Sequence, residues 1–278
     1  MSEHESSKRF ALVGDPIAHS PSPHMHNAAF QSRSIAAHYS LRPTPEADAA
    51  EVLNELKNGH WDGLNVTTPL KETFTPFVEL DENAKRALAV NTITVRDGQL
   101  KGALTDVEGV RRPLESREAD GDAALVIGAG GAARAAALAL ADMGFRVHVA
   151  ARRREPAEEL LGRLDSAAAG DVYSLSGAGA LRPVFASVGV VVQATPAGKA
   201  GERHPLPWED AHAGIIAFEM LYRPLQTPFL EDAKRSGARL VQGWEMLLHQ
   251  GAASWALWTE QQAPLDIMQK ALLEALQN

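Results

Sequence analysis

The 278-residue chain contains no cysteine. That excludes disulfides, thiolate metal sites and a cysteine nucleophile, and it fits a reducing compartment. Long apolar runs are missing too. The longest, residues 135–141, is alanine-rich and far below the roughly 20 residues that cross a bilayer. The first ten residues are polar and mixed in charge, without the apolar core of a signal peptide. Positive charge is in deficit: 27 Lys and Arg face 35 Asp and Glu, a formal net charge of -8. No broad basic face for nucleic acid is expected from such a balance. There is no repeat at solenoid spacing and no low-complexity tract. A cytoplasmic protein with neither nucleic-acid nor membrane partner is the expectation.

What is present is ordinary for a folded protein: 45% of residues are hydrophobic and 22% charged, over a length that suits two domains. Strands are expected at residues 10–13, 39–42, 63–66, 90–96 and 99–103, with helices at 24–32 and 45–58 and a helical turn opened by Pro69. Asp97-Gly98 reads as a hairpin turn. This alternation predicts a mostly parallel α/β sheet. A second unit starts after Asp120-Gly121-Asp122, with strands at 124–127, 146–150, 188–193, 214–218 and 239–241 and a helix at 132–143. Gly177-Ala178-Gly179 reads as a loop. Helices at 244–258 and 264–276 close the chain. The first of these has apolar residues at helical spacing, which leaves Gln250 as its exceptional polar member.

Gly128-Ala129-Gly130-Gly131-Ala132-Ala133-Arg134 has the G-x-G-x-x-A form of a dinucleotide fingerprint, placed between a strand and a helix. The first glycine allows a tight turn, the second admits a pyrophosphate, and Ala133 lets helix pack on strand. The helix N-terminus then offers N–H groups to the phosphates. The next strand ends in Ala150-Ala151-Arg152-Arg153-Arg154, without the acidic residue that binds an NAD ribose. Arginines there favour the 2′-phosphate of NADP, which a guanidinium meets bidentately. In the first half, Ser20-Pro21-Ser22 offers two hydroxyls on a rigid loop. Lys71 follows Asn65-Val66-Thr67, and Asp106 follows Thr105. By residue type alone, Ser-Pro pairs are turn chemistry and a lone lysine is a solvated charge. His19, His24 and His26 are assigned to loop and helix packing, and no metal is expected.

Taken together, these segments resemble the shikimate dehydrogenase family over nearly the whole chain. Residues 14–27 look like its opening substrate loop, and 63–71 like its G-x-N-V-T-x-P-x-K motif. Asn91-Thr92, Thr105-Asp106, the glycine loop, residues 193–198, Tyr222-Arg223-Pro224, Thr227-Pro228 and 243–250 are similar to later motifs. The resemblance implies reversible reduction of 3-dehydroshikimate to shikimate with NADPH. It implies that Ser20 and Ser22 hold the ring carboxylate, and that Thr67, Lys71, Asn91, Asp106, Tyr222 and Gln250 surround the ring. Lys71 and Asp106 would be the catalytic pair. Gly128, Ala129, Gly130, Gly131, Ala132, Arg152, Arg153, Met220, Gly243 and Glu82 would serve the cofactor.

The implied architecture is an N-terminal α/β substrate domain, residues 1–108 plus 245–278, a Rossmann-like NADP domain, 109–244, and a cleft between them. A monomer or homodimer is expected. The sequence departs from the family pattern at Leu88 (usually glycine), Leu104, Ala151 and Gln193 (usually asparagine), Arg153 (usually threonine) and Glu219 (usually aspartate). Two other readings share the motifs. One is a relative that prefers quinate, against which Ser20, Ser22 and Thr67 form a shikimate-type set. The other is a non-catalytic ligand sensor, against which Lys71 and Asp106 are retained.

Overall fold

A computed structural model describes residues 7–277. The first six residues of the polar opening, read above as lacking a leader, lie outside the described residues. By its contacts the chain forms two compact units. One runs to Thr105 and resumes at Gln250; the other is Asp106–His249.

The first unit begins with β1 (Lys8–Gly14), α1 (Ser22–Ser32), β2 (Ala37–Pro43), α2 (Ala49–Lys57), β3 (Gly63–Val66) and the short α3 (Leu70–Thr73). It continues with β4 (Glu79–Leu80), α4 (Glu82–Ala87), β5 (Thr92–Arg96) and β6 (Gln99–Ala103). The sheet order is β2-β1-β3-β5-β6-β4. The sheet is mostly parallel, as expected, and β5 is its one reversed strand. β1, β2 and β3 run parallel, but β5 is antiparallel to β3, and β6 to β5. The cause is the Asp97-Gly98 turn, where both residues have positive φ (49° and 74°). A two-residue turn of that kind can only join antiparallel neighbours; a parallel pair needs a long crossover.

The second unit holds α5 (Asp106–Glu115), β7 (Ala123–Ile127), α6 (Gly131–Asp142), β8 (Arg146–Ala151), α7 (Arg154–Leu161), β9 (Ala169–Ser174), α8 (Arg182–Phe185), β10 (Val190–Gln193), β11 (Ile216–Glu219), α9 (Pro228–Arg235) and β12 (Arg239–Val241). Its sheet is wholly parallel, in the order β12-β11-β10-β7-β8-β9. Read from the β9 end this is 3-2-1-4-5-6, the doubly wound order of a dinucleotide-binding fold. α6 buries Ala133, Ala135, Ala136, Ala137 and Ala139, whose small side chains let the helix lie close to the sheet. The expected loop at 177–179 includes part of a short 3-10 turn, Ala178–Ala180.

α10 (Gly243–Thr259) and α11 (Leu265–Gln277) end the chain, and α11 packs on α1. Within the first unit, the core between α1, β1, β2 and α10 is aromatic. Phe10 stacks on Phe30 and Trp258, with centroids 5.3 Å and 4.7 Å away, and Phe30 meets Trp255 at 4.8 Å. His26 lies flat on Tyr39 at 4.5 Å, fully buried, and neither ring nitrogen has a hydrogen-bond partner. An imidazolium there would have neither water nor a carboxylate, so burial drives its pKa down to about 3. The native state therefore refuses a proton that the unfolded chain takes up below about pH 6.5. The stability His26 contributes at neutral pH is lost progressively as pH falls from there toward 3. In urea unfolding at pH 7 and pH 5, His26→Leu is expected to lose about 2 kcal/mol less than the wild type between the two. Equal losses would mean that the ring finds a proton acceptor in the fold.

Candidate active site

In the first sheet the chain leaves β1 for β2 on one side and then returns to place β3 on the other. Such a reversal leaves a crevice at the carboxyl ends of the two central strands. The loops that follow β1 and β3 are stitched together there. The Asp15 N–H donates to the Thr68 carbonyl at 2.9 Å, and the Thr67 N–H to the Val13 carbonyl at 2.9 Å. The first loop carries Ser20 and Ser22, both buried. The Ser20 hydroxyl donates to Ser22 Oγ at 3.1 Å, and the Ser22 N–H, opening α1, donates to Ser20 Oγ at 3.3 Å. The second loop carries half-buried Thr67 and leads into α3, where Lys71 is half-buried. The Lys71 carbonyl accepts the Val90 N–H at 2.9 Å, which ties this loop to the segment before Asn91.

The hairpin reversal now has a use. Because β5 runs against β3, its beginning lies beside the end of β3, with Asn65 opposite Thr92. Because β6 runs back again, its end arrives at the same edge, with Thr92 opposite Ala103. Asn91 and Thr105 therefore join Thr67 and Lys71 at one sheet edge. Asn91 Oδ1 accepts the Thr105 N–H at 2.6 Å; its amide donates to Thr105 Oγ1 at 2.9 Å and to Gln250 Oε1 at 3.3 Å. Behind them Asn65 accepts from the Tyr39 hydroxyl at 2.8 Å and donates to Ser254 Oγ at 2.8 Å and Thr92 Oγ1 at 3.1 Å. Sequence reasoning did not find Tyr39, Thr92, Thr105 or Ser254 as members of this network. The spacing of Ser254, four residues after Gln250 on one helix, was the available signal, since such pairs share a face.

Asp106, nearly fully buried, opens α5, so Lys71 and Asp106 fall in different units. Gln250 is buried on α10, and Tyr222 is half-buried in the loop after β11. Glu82 stands apart: it is exposed, bonded to Lys85 at 2.6 Å, and follows β4 at the far edge of the sheet from β1 and β3.

In the second unit the reversal falls between β7 and β10. Gly128 follows β7 with φ of 115°, and a Cβ there would lie 3.0 Å from Thr195 Cγ2 and 3.1 Å from the Ala194 carbonyl. Only glycine takes that conformation and that contact. Gly130 is the opposite case: a Cβ would meet nothing within 4 Å, so the loop is open where a phosphate would approach. Gly130 also caps α6 without a side-chain bond, which leaves first-turn N–H groups uncapped by any side chain. Arg152 and Arg153 are exposed beyond β8 and form no ion pair among the described residues, whereas Arg154 is bound to Glu158 at 2.6 Å. An uncapped helix start, an open glycine loop and two uncommitted guanidinium groups fit a phosphorylated dinucleotide.

Further polar residues surround these loops. Gln193 Oε1 accepts both the N–H and the hydroxyl of Thr195, at 3.0 Å and 2.9 Å. Thr195 also pairs with His204 Nε2 at 2.9 Å, and burial together with the Arg152 charge holds the His204 pKa below its ordinary value. Glu219, the last residue of β11, is fully buried, and burial lifts its pKa to about 7.

Comparison with known proteins agrees with this geometry. Residues 12–93 match the model of the shikimate dehydrogenase substrate binding domain, and residues 243–273 that of the shikimate 5'-dehydrogenase C-terminal domain. The NADP(+) shikimate dehydrogenase of Desulfitobacterium hafniense is 39% identical over 97% of this chain and 98% of its own. That of Moorella thermoacetica is 42% identical over 96% and 92%. The crystal structure of shikimate 5-dehydrogenase from Thermus thermophilus, in complex with NADP(H) and shikimate, superposes with a TM-score of 0.87 at 34% identity, covering 97% of this chain and all of that one.

The Asn65 network generates a stability prediction. Asn65→Leu removes the acceptor of the Tyr39 hydroxyl and the amide donor to Ser254 and Thr92 in a buried site, and is expected to cost about 3 kcal/mol in urea unfolding. A loss below about 1 kcal/mol would mean that water or a rotated hydroxyl replaces the amide.

Proposed function

The chain belongs to the shikimate dehydrogenase family, and we propose that it catalyses the reversible NADPH-dependent reduction of 3-dehydroshikimate to shikimate, on the route to chorismate and the aromatic amino acids. The observation that carries this reading is the stitching of the Ser20–Ser22 loop to the Lys71 loop at the β1/β3 switch point. A carboxylate binder and a cation are thereby held on one rigid edge, as a small carboxylated ketone requires.

In this proposal the substrate domain comprises residues 1–108 with 245–278, and the cofactor domain 109–244. Ser20 and Ser22 already share a hydroxyl proton; a carboxylate arriving there accepts both hydroxyls instead. Thr67, Asn91, Tyr222 and Gln250 orient the ring hydroxyls. The amide of Asn91 is held by Thr105, so it meets the substrate without losing rotamer freedom. NADPH, held by residues 128–132 with Arg152 and Arg153 on its 2′-phosphate and Met220 and Gly243 beside it, supplies the hydride. Lys71 donates the proton that the developing alkoxide needs and stabilises its charge before transfer. Asp106 orients Lys71 or a ring hydroxyl. Glu82 is kept in the cofactor set on resemblance alone. A cytoplasmic location suits a chain without cysteine, and a monomer or homodimer is proposed for its assembly.

The reading is tested by assaying the purified protein with shikimate or quinate, crossed with NADP+ or NAD+. Turnover is expected to be fastest with shikimate and NADP+; a preference for quinate, or no turnover in any arm, would overturn it. In the same assay Lys71→Ala is expected to lower kcat by about 10²–10⁴. Near-normal turnover would remove Lys71 from the chemistry.

The arginines make a separate prediction. Arg152→Ala should raise KM for NADP+ about ten-fold or more, as loss of a charge-assisted hydrogen bond does, and leave KM for NAD+ nearly unchanged. Equal effects on the two cofactors would reduce Arg152 to a surface charge.

A further inference from the structure

Glu219 is a carboxyl group with no exposed surface, and no step of the proposed reaction uses it. Everything around it donates. Its Oε1 accepts the Leu221 N–H at 3.0 Å, its Oε2 accepts the Thr227 hydroxyl at 2.7 Å, and the Met220 N–H also favours its charge. Thr227 is itself the N-cap of α9, accepting the Leu230 N–H at 3.3 Å. One carboxylate thus ties the end of β11 to the start of α9 and pins the chain between them.

The pinned segment is packed as tightly as backbone allows. The Met220 N–H donates to the Gln193 carbonyl at 3.1 Å. A Cβ on Gly243 would lie 2.1 Å from the Leu221 carbonyl oxygen and 2.7 Å from the Tyr222 nitrogen, so only glycine admits this contact. The segment that carries Met220 and Tyr222 is held from three sides, and Glu219 is the one ionisable member of the clamp.

Two effects oppose each other at this carboxyl. The donors fit the anion, because a neutral acid carries a proton on one oxygen and must give up or reverse one of the bonds. Burial disfavours the anion, and no charged side chain offsets it. On the adjoining α9, Arg203 binds Glu231 at 2.8 Å and Asp232 at 2.6 Å, Arg235 binds Asp232 at 2.8 Å, and Lys234 is exposed to solvent. None of these α9 groups is among those that shift Glu219. Burial prevails over the donors and lifts the Glu219 pKa to about 7.

We propose that Glu219 is a positioning residue: ionised, it fixes the 220–222 segment for cofactor and substrate, and protonation frees that segment. The proposal rests on the assignment of Met220 and Tyr222 to the site. It predicts that a neutral mimic binds cofactor as the protonated wild type does at every pH.

The test is the NADPH dissociation constant, followed by nucleotide fluorescence from pH 5.5 to 8.5 in wild type, Glu219→Gln and Glu219→Asp. Glu219→Gln is expected to bind about three- to ten-fold more weakly than wild type at pH 8.5, the worth of one hydrogen bond, and equally at pH 5.5. Glu219→Asp, which keeps the charge, should keep the pH dependence. A ratio of Glu219→Gln to wild type that does not change with pH overturns the proposal, whether the ratio is one or large. Folding is checked at pH 8.5, where Glu219→Gln, freed of a buried charge, should melt no lower than wild type; a lower Tm there also overturns it. Tyr222→Phe separates the two layers. If it leaves kcat and the shikimate KM unchanged, the underlying assignment fails; if it impairs them while the Glu219→Gln ratio stays flat, the positioning role alone fails.

Discussion

Strands covered on both faces set the terms for this protein. β3, β7, β10 and β11 have no exposed or half-exposed residue along their length. Such strands spend every side chain on packing, and chemistry can begin only where they stop. The order of each sheet then decides which ends meet. Around β1 and β3, and again around β7 and β10, the chain reverses its direction of winding, and the loops beyond those strands have space that no crossover helix fills. Every residue assigned a role, Glu82 and Gln250 excepted, lies at such an edge or in the helical turn that follows it. Even Asn91, at the start of its strand, reaches the edge because β5 is inverted.

Holding such an edge still is a polar problem. Asn65 has its side chain inside the sheet, where an unsatisfied amide would be costly. Its partners Tyr39, Thr92 and Ser254 come from three other elements, so satisfying one amide also locks β2, β5 and α10 to β3. Thr105 extends the same bonds to Asn91 and through it to Gln250. The functional side chains are therefore positioned by a network behind them rather than by their own packing. Surface ion pairs such as Arg154–Glu158 and Lys85–Glu82 are too exposed to do this work.

Much of this was legible in the sequence, and the failures have physical causes. The glycine loop and its strand–helix context identified the doubly wound half, because φ-positive glycine and helix-starting alanines leave a local trace. The segment 106–115 was not read as a helix, since Gly109 and Pro113 break its pattern; tertiary packing of Val107, Val110 and Leu114 overrides them. α7, β9 and α9 were missed for want of long apolar periods. The β5–β6 hairpin was legible from its Asp97-Gly98 turn, whereas the antiparallel pairing of β5 with β3 leaves no local trace. Residue roles were less visible than elements. Lys71 and the two serines gain meaning only from the loops they share, and the Asn65 partners are up to 189 residues away in sequence. Leu88 shows the reverse case, in which a departure from the family pattern becomes intelligible. It caps α4 at φ of 50°, a left-handed conformation that explains why glycine is usual there.

Two ionisable groups with no exposed surface, His26 and Glu219, bear jointly on how the fold responds to pH. Unfolding exposes a neutral His26 to protonation below about pH 6.5 and a neutral Glu219 to ionisation above about 4.5, their ordinary values. Between those limits the unfolded chain gains one proton at the histidine and loses one at the carboxyl. The proton counts cancel, so the two slopes in stability cancel as well. Below 4.5 only the histidine acts, and stability falls as pH drops toward 3. From 6.5 to about 7 only the carboxyl acts, and stability falls slightly as pH rises to the point where Glu219 ionises in the fold. Neither group has a charged partner to remove, so neither slope is adjustable by a surface mutation. The His26 slope arises from burial alone, and the Glu219 slope from burial that exceeds the pull of its Leu221, Met220 and Thr227 donors, so each takes its value from the packing that holds its part of the site.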